Sequence, residues 1–200
     1  AYEIMPSLVG SEMCIRDSGY HSGSWIYQYD GTNFIPKFQL PDAAGAAASK
    51  GNINTIAFDK QGTTAYIVSR KNHVIYKASY DMATGEFNDV KLLAGSFGVT
   101  GYADGTGTSA KFNEPSQGDV DEDGNFYVAD RGNHCIRVIT PDGEVSTYAG
   151  QNKAGMVDGI ASLAEFNNPE GCQFGPDGAL YVADYSNHAI RKVEDGPAQP

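Results

Sequence analysis

Short runs with apolar, aromatic and β-branched residues, separated by turns, fill the second half of the chain. Each run is followed by a turn rich in Gly, Asn, Asp or Pro, which is the pattern of consecutive antiparallel strands. Glycine and β-branched residues interrupt every window at helical spacing, so the pattern excludes a fully helical repeat. The strands predicted in this stretch are 118–121, 126–129, 135–139 and 144–148.

The same pattern recurs 54 residues further along, so the chain contains an internal repeat. Residues 113–138 align with residues 167–193, and the segments before them also match. A weaker copy lies at 58–77, and the predicted hairpin 24–38 resembles the outer part of another copy. The matched pairs include Pro115 with Pro169, Gly124 with Gly178, Tyr127 with Tyr181, Asp130 with Asp184, Asn133 with Asn187, His134 with His188, Ile136 with Ile190 and Arg137 with Arg191.

A repeated unit of four antiparallel strands is typical of propeller blades. The fold class predicted is therefore all-β, a β-propeller fragment of about three to four four-stranded blades. The blades are expected at 19–50 in part, 51–95, 110–150 and 164–200 in part.

Both copies carry Asn-x-Pro, then Asp-Gly-x-Phe/Leu-Tyr-Val-Ala-Asp-x-x-Asn-His-x-Ile-Arg, and this string resembles the NHL repeat. The resemblance is strong over 94–193, weaker over 53–93 and marginal over 19–52. The linker G-Y-x-D-G-x-G-x-x-A-x-F-N resembles bacterial extracytoplasmic NHL proteins, which often carry an immunoglobulin-like IPT/TIG domain that is not visible here. The resemblance implies a ring of about six blades, hence missing blades of the same chain as partners, at the bacterial cell surface or in the periplasm.

Residues 1–18 resemble a translated sequencing adapter. Read codon by codon, AYEIMPSLVGSEMCIRDS follows a flow-cell end, an index gap, a transposase read primer and a mosaic end without a slip of frame. The segment also has no helical or strand period. We expect an adapter-derived artefact here and a truncated protein that starts near Gly19, with any signal peptide unseen. The alternative is a genuine N-terminus that matches by chance.

The charge of the chain is acidic, with 25 Asp and Glu against 14 Lys and Arg and a net charge of -11. Without residues 1–18 the balance is 22 acidic against 13 basic residues, a net charge of -9. This balance argues against a nucleic-acid partner, because phosphate binding needs a basic face. No run of 18 apolar residues is present, so no transmembrane helix is predicted.

A polar set recurs in three copies, and its histidines could converge on a metal ion if equivalent positions faced one ring. A structural role is favoured instead, because identical residues in every repeat are what architecture demands, whereas one ligand on one axis usually breaks the repeat symmetry. We expect each histidine to bond locally to the Asp or the backbone of its own blade. The set is Asp130, Asn133, His134; Asp184, Asn187, His188; and Ser69, Asn72, His73.

Two other patterns also favour structural roles. Asp119, Asp121 and Asp123 partly match a calcium loop, but flanking helices are missing and the sister blade keeps a single acid, so a hairpin turn is the preferred interpretation. Cys135 and Cys172 occupy positions where the sister repeat has small residues, so we expect buried free thiols. A disulfide between adjacent blades is the alternative in an oxidising compartment.

The long segments between blades are expected on one rim of the propeller, where repeat proteins gather ligand contacts. Phe112 and Phe166 should instead fill the core between blades. The Asp-Gly pairs at 104–105 and 158–159 are also compatible with plain turns. The aromatic residues Trp25, Tyr27 and Tyr29 are compatible with either stacking on a ligand or core packing. The binding residues proposed on this basis are Tyr102, Asp104, Asn113, Met156, Asp158 and Asn167.

The function expected from these features is a non-enzymatic binding or scaffold module for a glycan or protein. No nucleophile elbow, phosphate loop, paired CxxC or HExxH is present, so no catalytic residue, cofactor or metal is predicted. Arg137 and Arg191 are expected to form blade-surface or blade-blade pairs with local acids. The alternative is a metal-assisted lyase or hydrolase whose active-site blades are missing, since relatives of this fold include such enzymes.

Overall fold

The computed structural model describes the backbone of residues 12–15, 25–29, 34–40 and 53–193, with the side chains of Leu40 and residues 53–193. No helix in this part of the chain has the length and hydropathy needed to span a bilayer. The strands are β1 Glu12–Ile15, β2 Trp25–Tyr29, β3 Phe34–Gln39, β4 Ile53–Phe58, β5 Thr64–Ser69, β6 Val74–Asp81, β7 Glu86–Ala94, β8 Gly105–Thr106, β9 Pro115–Val120, β10 Phe126–Asp130, β11 Cys135–Ile139, β12 Glu144–Ala149, β13 Pro169–Phe174, β14 Leu180–Asp184 and β15 Ala189–Val193.

The strands form four separate antiparallel sheets. The first has the order β1-β2-β3, the second β4-β5-β6-β7, the third β8-β12-β11-β10-β9 and the fourth β13-β14-β15. The predicted hairpin 24–38 is present as β2 and β3, and the four strands predicted between 118 and 148 are present as β9 to β12. The side chains of the aromatic residues on β2 lie outside the described residues.

Turn chemistry explains why each blade folds locally. Between β9 and β10, both Asp121 carboxylate oxygens accept hydrogen bonds, Oδ1 from the Asp123 and Asn125 backbone N–H groups and Oδ2 from Asn125 Nδ2. Gly124 in this turn has a φ of 83°, which glycine adopts without a steric penalty. The acidic stretch at 119–123 therefore forms the hairpin turn that the sequence favoured over a calcium loop.

Two strands differ from the sequence prediction. Glu12–Ile15 pairs with β2 although residues 1–18 show no strand period, because an edge strand needs only backbone partners. The adapter origin of residues 1–18 stays a prediction. In the third sheet, β8 from the segment between blades adds a fifth strand by pairing with β12, which covers the edge of a blade that was predicted with four.

The hydrophobic core lies between neighbouring blades. Tyr66 of β5 stacks on Phe126 of β10, with ring centroids 5.1 Å apart, and donates its hydroxyl to the Gly124 carbonyl at 2.6 Å. Phe112 and Phe166 are buried in the two successive interblade clusters, as predicted. Each blade is therefore stabilised mainly by the next one along the chain.

The first strands of three successive blades, β4, β9 and β13, lie side by side along one axis. Each begins opposite the end of its blade's second strand, so these strand starts and the turns after the second strands meet at one end of the axis. We call this end the channel mouth. The pairs that define it are Ile53 with Ser69, Pro115 with Asp130, and Pro169 with Asp184.

Candidate functional site

The repeated aspartate ties the segment between blades to the blade that follows it. Asp130 is fully buried, and its Oδ1 accepts the Asn113 backbone N–H at 2.8 Å. Its Oδ2 accepts Asn133 Nδ2 at 2.8 Å and Arg137 Nη1 at 3.1 Å. Asp184 repeats the arrangement with Asn167, Asn187 and Arg191 at 2.7, 2.8 and 3.1 Å. The contacts of this set are internal to the fold, although its structural role stays a prediction.

Arg137 is buried, which the sequence analysis did not foresee. Its side chain has 0% exposure and bonds to Asp130 and to Asp104, the latter at 2.5 Å. The guanidinium lies 5.2 Å from the Tyr102 ring and 5.3 Å from the Phe112 ring. The expected pairing with local acids is present, but of the two expected settings the blade surface is wrong for Arg137, because the linker folds over it.

The linker residues that were predicted to bind a ligand are largely occupied by this network. Asp104 and Asp158 each accept a hydrogen bond from the arginine of their own blade. Tyr102 and Met156 keep 42% and 64% of their surface exposed. Three of the six predicted residues lie in the linker before β9 and three in the linker before β13. None of the contacts described within residues 53–193 joins the two linker groups, so the six residues do not form one cluster there. Their role in binding stays a prediction.

The repeated histidines join successive blades. His73 and His134 end the turns Arg70–Asn72 and Arg131–Asn133 in the left-handed conformation. His73 Nδ1 accepts the backbone N–H of Glu114, and His134 Nδ1 accepts that of Asn168, both at 3.0 Å. The expectation of a bond within the same blade is therefore wrong. The ring reaches across because the left-handed residue points it at the start of the next first strand.

We expect these two histidine contacts to weaken in acid. Burial lowers the pKa of His73 and His134, and a protonated Nδ1 cannot accept a backbone N–H. Glu114 opposes the lowering at His73 and Asp184 opposes it at His134, whereas Arg131 adds to it at His134. Since the folded pKa lies below the unfolded one, their stabilisation is present above pH about 6.5 and is lost as the pH falls further.

Urea unfolding of the wild type and of the His73→Asn/His134→Asn variant at pH 8 and pH 5.5 checks this expectation. Asparagine tolerates the left-handed backbone, so the variant should lose about 1 kcal/mol per hydrogen bond at pH 8 and show a smaller loss of stability in acid. His188→Asn is the matched control, because the described chain gives the His188 ring no hydrogen-bond partner. An equal pH dependence of wild type and double variant would contradict the expectation.

The two described cysteines, Cys135 and Cys172, are buried and free, as predicted. Burial raises the pKa of both thiols well above the usual value, so neither is a thiolate nucleophile at neutral pH. The interblade disulfide that was left open is not formed. In the described residues no group of His, Cys, Asp and Glu side chains is arranged to hold a metal ion.

Four charged side chains bind one another at the channel mouth. Glu170 accepts Arg70 Nη1 at 2.6 Å with Oε1 and Arg131 Nε at 2.8 Å with Oε2. Arg131 Nη1 also donates to Glu114 Oε2 at 3.0 Å, and Arg70 Nη2 lies 3.6 Å from the same oxygen. We call these four residues the mouth cluster. They come from three blades, and Arg70 and Glu170 lie 100 positions apart in the sequence.

A chain of hydrogen bonds runs below the mouth cluster. Asn54, Ser116 and Glu170 are the second residues of β4, β9 and β13. Asn54 Nδ2 donates to Ser116 Oγ at 2.9 Å, and Ser116 Oγ donates to Glu170 Oε1 at 3.2 Å. The same position of three neighbouring blades therefore carries three different polar side chains in mutual contact.

The mouth breaks the repeat symmetry at a second position as well. The first residue of the turn after the second strand is Arg70, Arg131 and Tyr185 in successive blades. Because one ligand on one axis calls for non-equivalent residues, this region is the candidate functional site. The sequence analysis missed it, since the alignment of repeats was searched for identities. The differences between aligned residues were the available signal.

Glu114 occupies a strained backbone position at the mouth. It adopts the left-handed conformation with a φ of 51°, as does Asn168 at the equivalent position of the next blade. Asparagine visits this region readily, whereas other side chains pay a steric penalty of about 1–2 kcal/mol there. A glutamate kept at a strained position beside Arg131 is what a binding site would require.

A cavity of about 490 Å³ lies along the axis beside the mouth. Among the residues that line it are Thr55, Gln117 and Gly171, which are the third residues of β4, β9 and β13. A Cβ at Gly171 would lie 3.0 Å from Gln117 Cβ, so the glycine leaves room for the glutamine side chain. The cavity has the size of small-molecule sites in proteins.

Comparison with known proteins agrees with this architecture. The family model of the NHL repeat matches residues 112–139. NHL repeat-containing protein 2 of Bos taurus is 33% identical over 105 residues, covering 52% of this chain and 14% of the relative. An auxiliary nutrient binding protein from Bacteroides thetaiotaomicron is 29% identical with a TM-score of 0.79, covering 93% of this chain and 46% of that one. A gluconolactonase from Xanthomonas campestris, 14% identical with a TM-score of 0.53, covers 87% and 50% and shares the fold alone.

Antiparallel sheets that pack face to face around one axis define this chain as a β-propeller fragment, which confirms the predicted fold class. Its repeated string resembles the NHL repeat, and the family model of that repeat matches one of the copies. The chain spans less than half the length of the bovine relative and of the Bacteroides structure. Related propellers include both binding proteins and enzymes.

Proposed function

We propose that this propeller is a non-enzymatic binding module that takes a glycan at the channel mouth. The observation that carries the proposal is the mouth cluster, in which Arg70, Arg131, Glu114 and Glu170 meet from three blades. Planar, hydrogen-bonding side chains at the entrance of a recess are the usual means of orienting a polar small molecule. The similarity to a nutrient binding protein supports binding over catalysis.

A glycan suits the mouth better than a folded protein does. The cavity of about 490 Å³ has the size of a small-molecule site, and the four side chains of the mouth cluster beside it are only partly exposed. A protein partner would call for a wider surface of about 800 Å² with a hydrophobic centre. The acidic net charge of -11 argues against a nucleic acid.

The proposed setting is the surface or the periplasm of a bacterium, where a nutrient binder meets its ligand. The Bacteroides protein supports this setting through its similarity. Further blades of the same chain belong to the proposal, in keeping with the 46% coverage of that structure.

Titration of the purified protein with a panel of oligosaccharides, followed by calorimetry, tests the proposal. Arg131→Gln should weaken binding at least about tenfold, equivalent to about 1.4 kcal/mol, because Arg131 joins Glu114 to Glu170. Lys60→Gln is the matched control, since Lys60 forms an exposed ion pair with Glu122 away from the mouth. Equal affinities of both variants, or turnover of a lactone or ester by the wild type, would contradict the proposal.

A further inference from the structure

The charges of the mouth cluster are balanced. Two guanidinium groups face two carboxylates, and each oxygen of Glu170 is bound by a different arginine. An anionic ligand that approaches the arginines also meets Glu114 and Glu170, and a cationic ligand meets the arginines. A hydroxyl group both donates and accepts, so it can bond to either kind of side chain without a net charge.

Hydrogen-bonding capacity remains at the mouth after the ion pairs have formed. Glu114 is 45% exposed, and its ion pairs with Arg70 and Arg131 use the same oxygen, Oε2. Among the described residues nothing binds the second oxygen, Oε1, so it can accept from a hydroxyl. Arg131 uses Nε and Nη1 in its ion pairs, so its Nη2 can still donate. Adjacent donor and acceptor groups of this kind match two neighbouring hydroxyls on one ring.

Tyr185 supplies an apolar surface at the channel mouth, at the position equivalent to Arg70 and Arg131. It begins the turn Tyr185–Asn187, as Arg131 begins its own turn one blade earlier, and 61% of its surface is exposed. An exposed aromatic ring with a polar tip offers a flat face to the C–H groups of a ligand ring.

We propose that the ligand of the mouth is an uncharged saccharide, with vicinal hydroxyls bound by Glu114 and Arg131 and a ring face packed on Tyr185. This inference rests on the proposed function and narrows the ligand from any glycan to those without carboxylate, sulfate or amino groups. Balanced charge, a spare carboxylate oxygen and an exposed aromatic ring carry it together.

Because Glu114 is strained, replacing it distinguishes a role in ligand binding from a purely structural role. Glu114→Asn installs the residue that the next blade has at this position and keeps the backbone N–H that binds His73. The carboxylate is lost, but the left-handed strain is relieved, and a partly exposed ion pair contributes little to stability. The melting temperature should therefore stay the same or rise, while affinity for the saccharide falls at least tenfold.

Calorimetric titration with neutral gluco-, manno- and galacto-oligosaccharides, their uronic acid counterparts and a peptide library separates the outcomes. We expect a neutral saccharide to bind, its uronic acid counterpart to bind at least tenfold more weakly, and Tyr185→Ala but not Tyr185→Phe to lose affinity. Tighter binding of a uronic acid at the mouth overturns this inference and leaves the proposed function standing. Binding of peptides alone, or of no saccharide, overturns both. A Glu114→Asn variant that melts earlier and still binds shows that the cluster is structural.

Discussion

Replacing Arg137 by methionine is expected to destabilise the protein by about 3–5 kcal/mol, because it leaves a buried carboxylate without its partner. Asp130 and Arg137 are both fully buried and lie 3.1 Å apart. The same change removes the guanidinium from between the Tyr102 and Phe112 rings and frees two linker carbonyls that it binds, those of Lys111 and Ala103. The linker would then be held to its blade by the β8–β12 pairing and by the bonds of Asp130 to the Asn113 N–H and of Asn133 to the Gly101 carbonyl.

Urea unfolding at pH 7.5 measures the loss, with Arg191→Met as the matched control. Arg191 makes the equivalent bonds in the next blade but is 11% exposed, and its partner Asp158 is 91% exposed. Water therefore compensates part of the loss there, and the control should be destabilised by clearly less. A comparable loss in both variants would show that burial of the pair does not decide the energy.

The pH dependence of the same variant gives a second measurement. Burial raises the pKa of Asp130 to about 6, and Arg137 and the hydrogen bonds from Asn113 and Asn133 oppose this rise. Without Arg137 the pKa of Asp130 rises further, so in acid the carboxyl is neutral and no unpaired charge is buried. The variant should therefore lose less stability relative to the wild type at pH 5 than at pH 8. An Asp130→Asn/Arg137→Met double variant should recover part of the loss at pH 8.

The repeat made most of the strands predictable. The turn residues, such as Gly124 and Gly143, and the aromatic and β-branched residues in runs like 126–129 carry local information that a blade uses directly. Phe112 and Phe166 were also predictable as core residues, because large apolar side chains before a first strand have to be covered by the neighbouring blade. Local pattern thus accounts for the fold.

Burial of Arg137 was harder to predict from the sequence, since arginine is rarely enclosed in a protein interior. Its neighbours on β11, Cys135, Ile136 and Ile139, are buried on both faces of the sheet, which is the signal that a charged residue between them needs an internal partner. The linker groups that bind it lie 26 to 34 residues earlier in the chain. Long-range contact of this kind leaves no periodic trace in a sequence.

The mouth cluster was missed for a related reason. Its members are distant in sequence: Arg131 lies 39 positions and Arg70 lies 100 positions before Glu170. Only the packing of three blades around one axis brings them together. The repeat gives the right comparison, however, since the positions at which aligned blades differ include these, with Ser116 opposite Glu170 and Arg131 opposite Tyr185. In a repeat protein, identity between copies reports architecture and difference reports a site.

Replacing Gly95 by alanine should cost more than about 3 kcal/mol, whereas the same change at Gly98 should cost about 1 kcal/mol. Both glycines have a left-handed backbone, with φ values of 95° and 71°, and both follow β7 in the same linker. A Cβ at Gly95 would lie 2.4 Å from the His73 carbonyl oxygen and 3.1 Å from the Phe112 ring. Among the described residues, no atom would lie within 4 Å of a Cβ at Gly98.

Thermal melts of the two alanine variants separate backbone strain from steric crowding. Alanine at Gly98 introduces backbone strain alone, whereas alanine at Gly95 introduces both strain and close contacts. About 1 kcal/mol corresponds to about 2–4 °C in a domain of this size, so Gly98→Ala should shift the melting temperature slightly and Gly95→Ala by 6 °C or more. The carbonyl that blocks Gly95 belongs to the histidine whose ring binds the next blade at Glu114. A clash there displaces the linker and the interblade contact together, so equal shifts in the two variants would mean that the linker yields without affecting its blades.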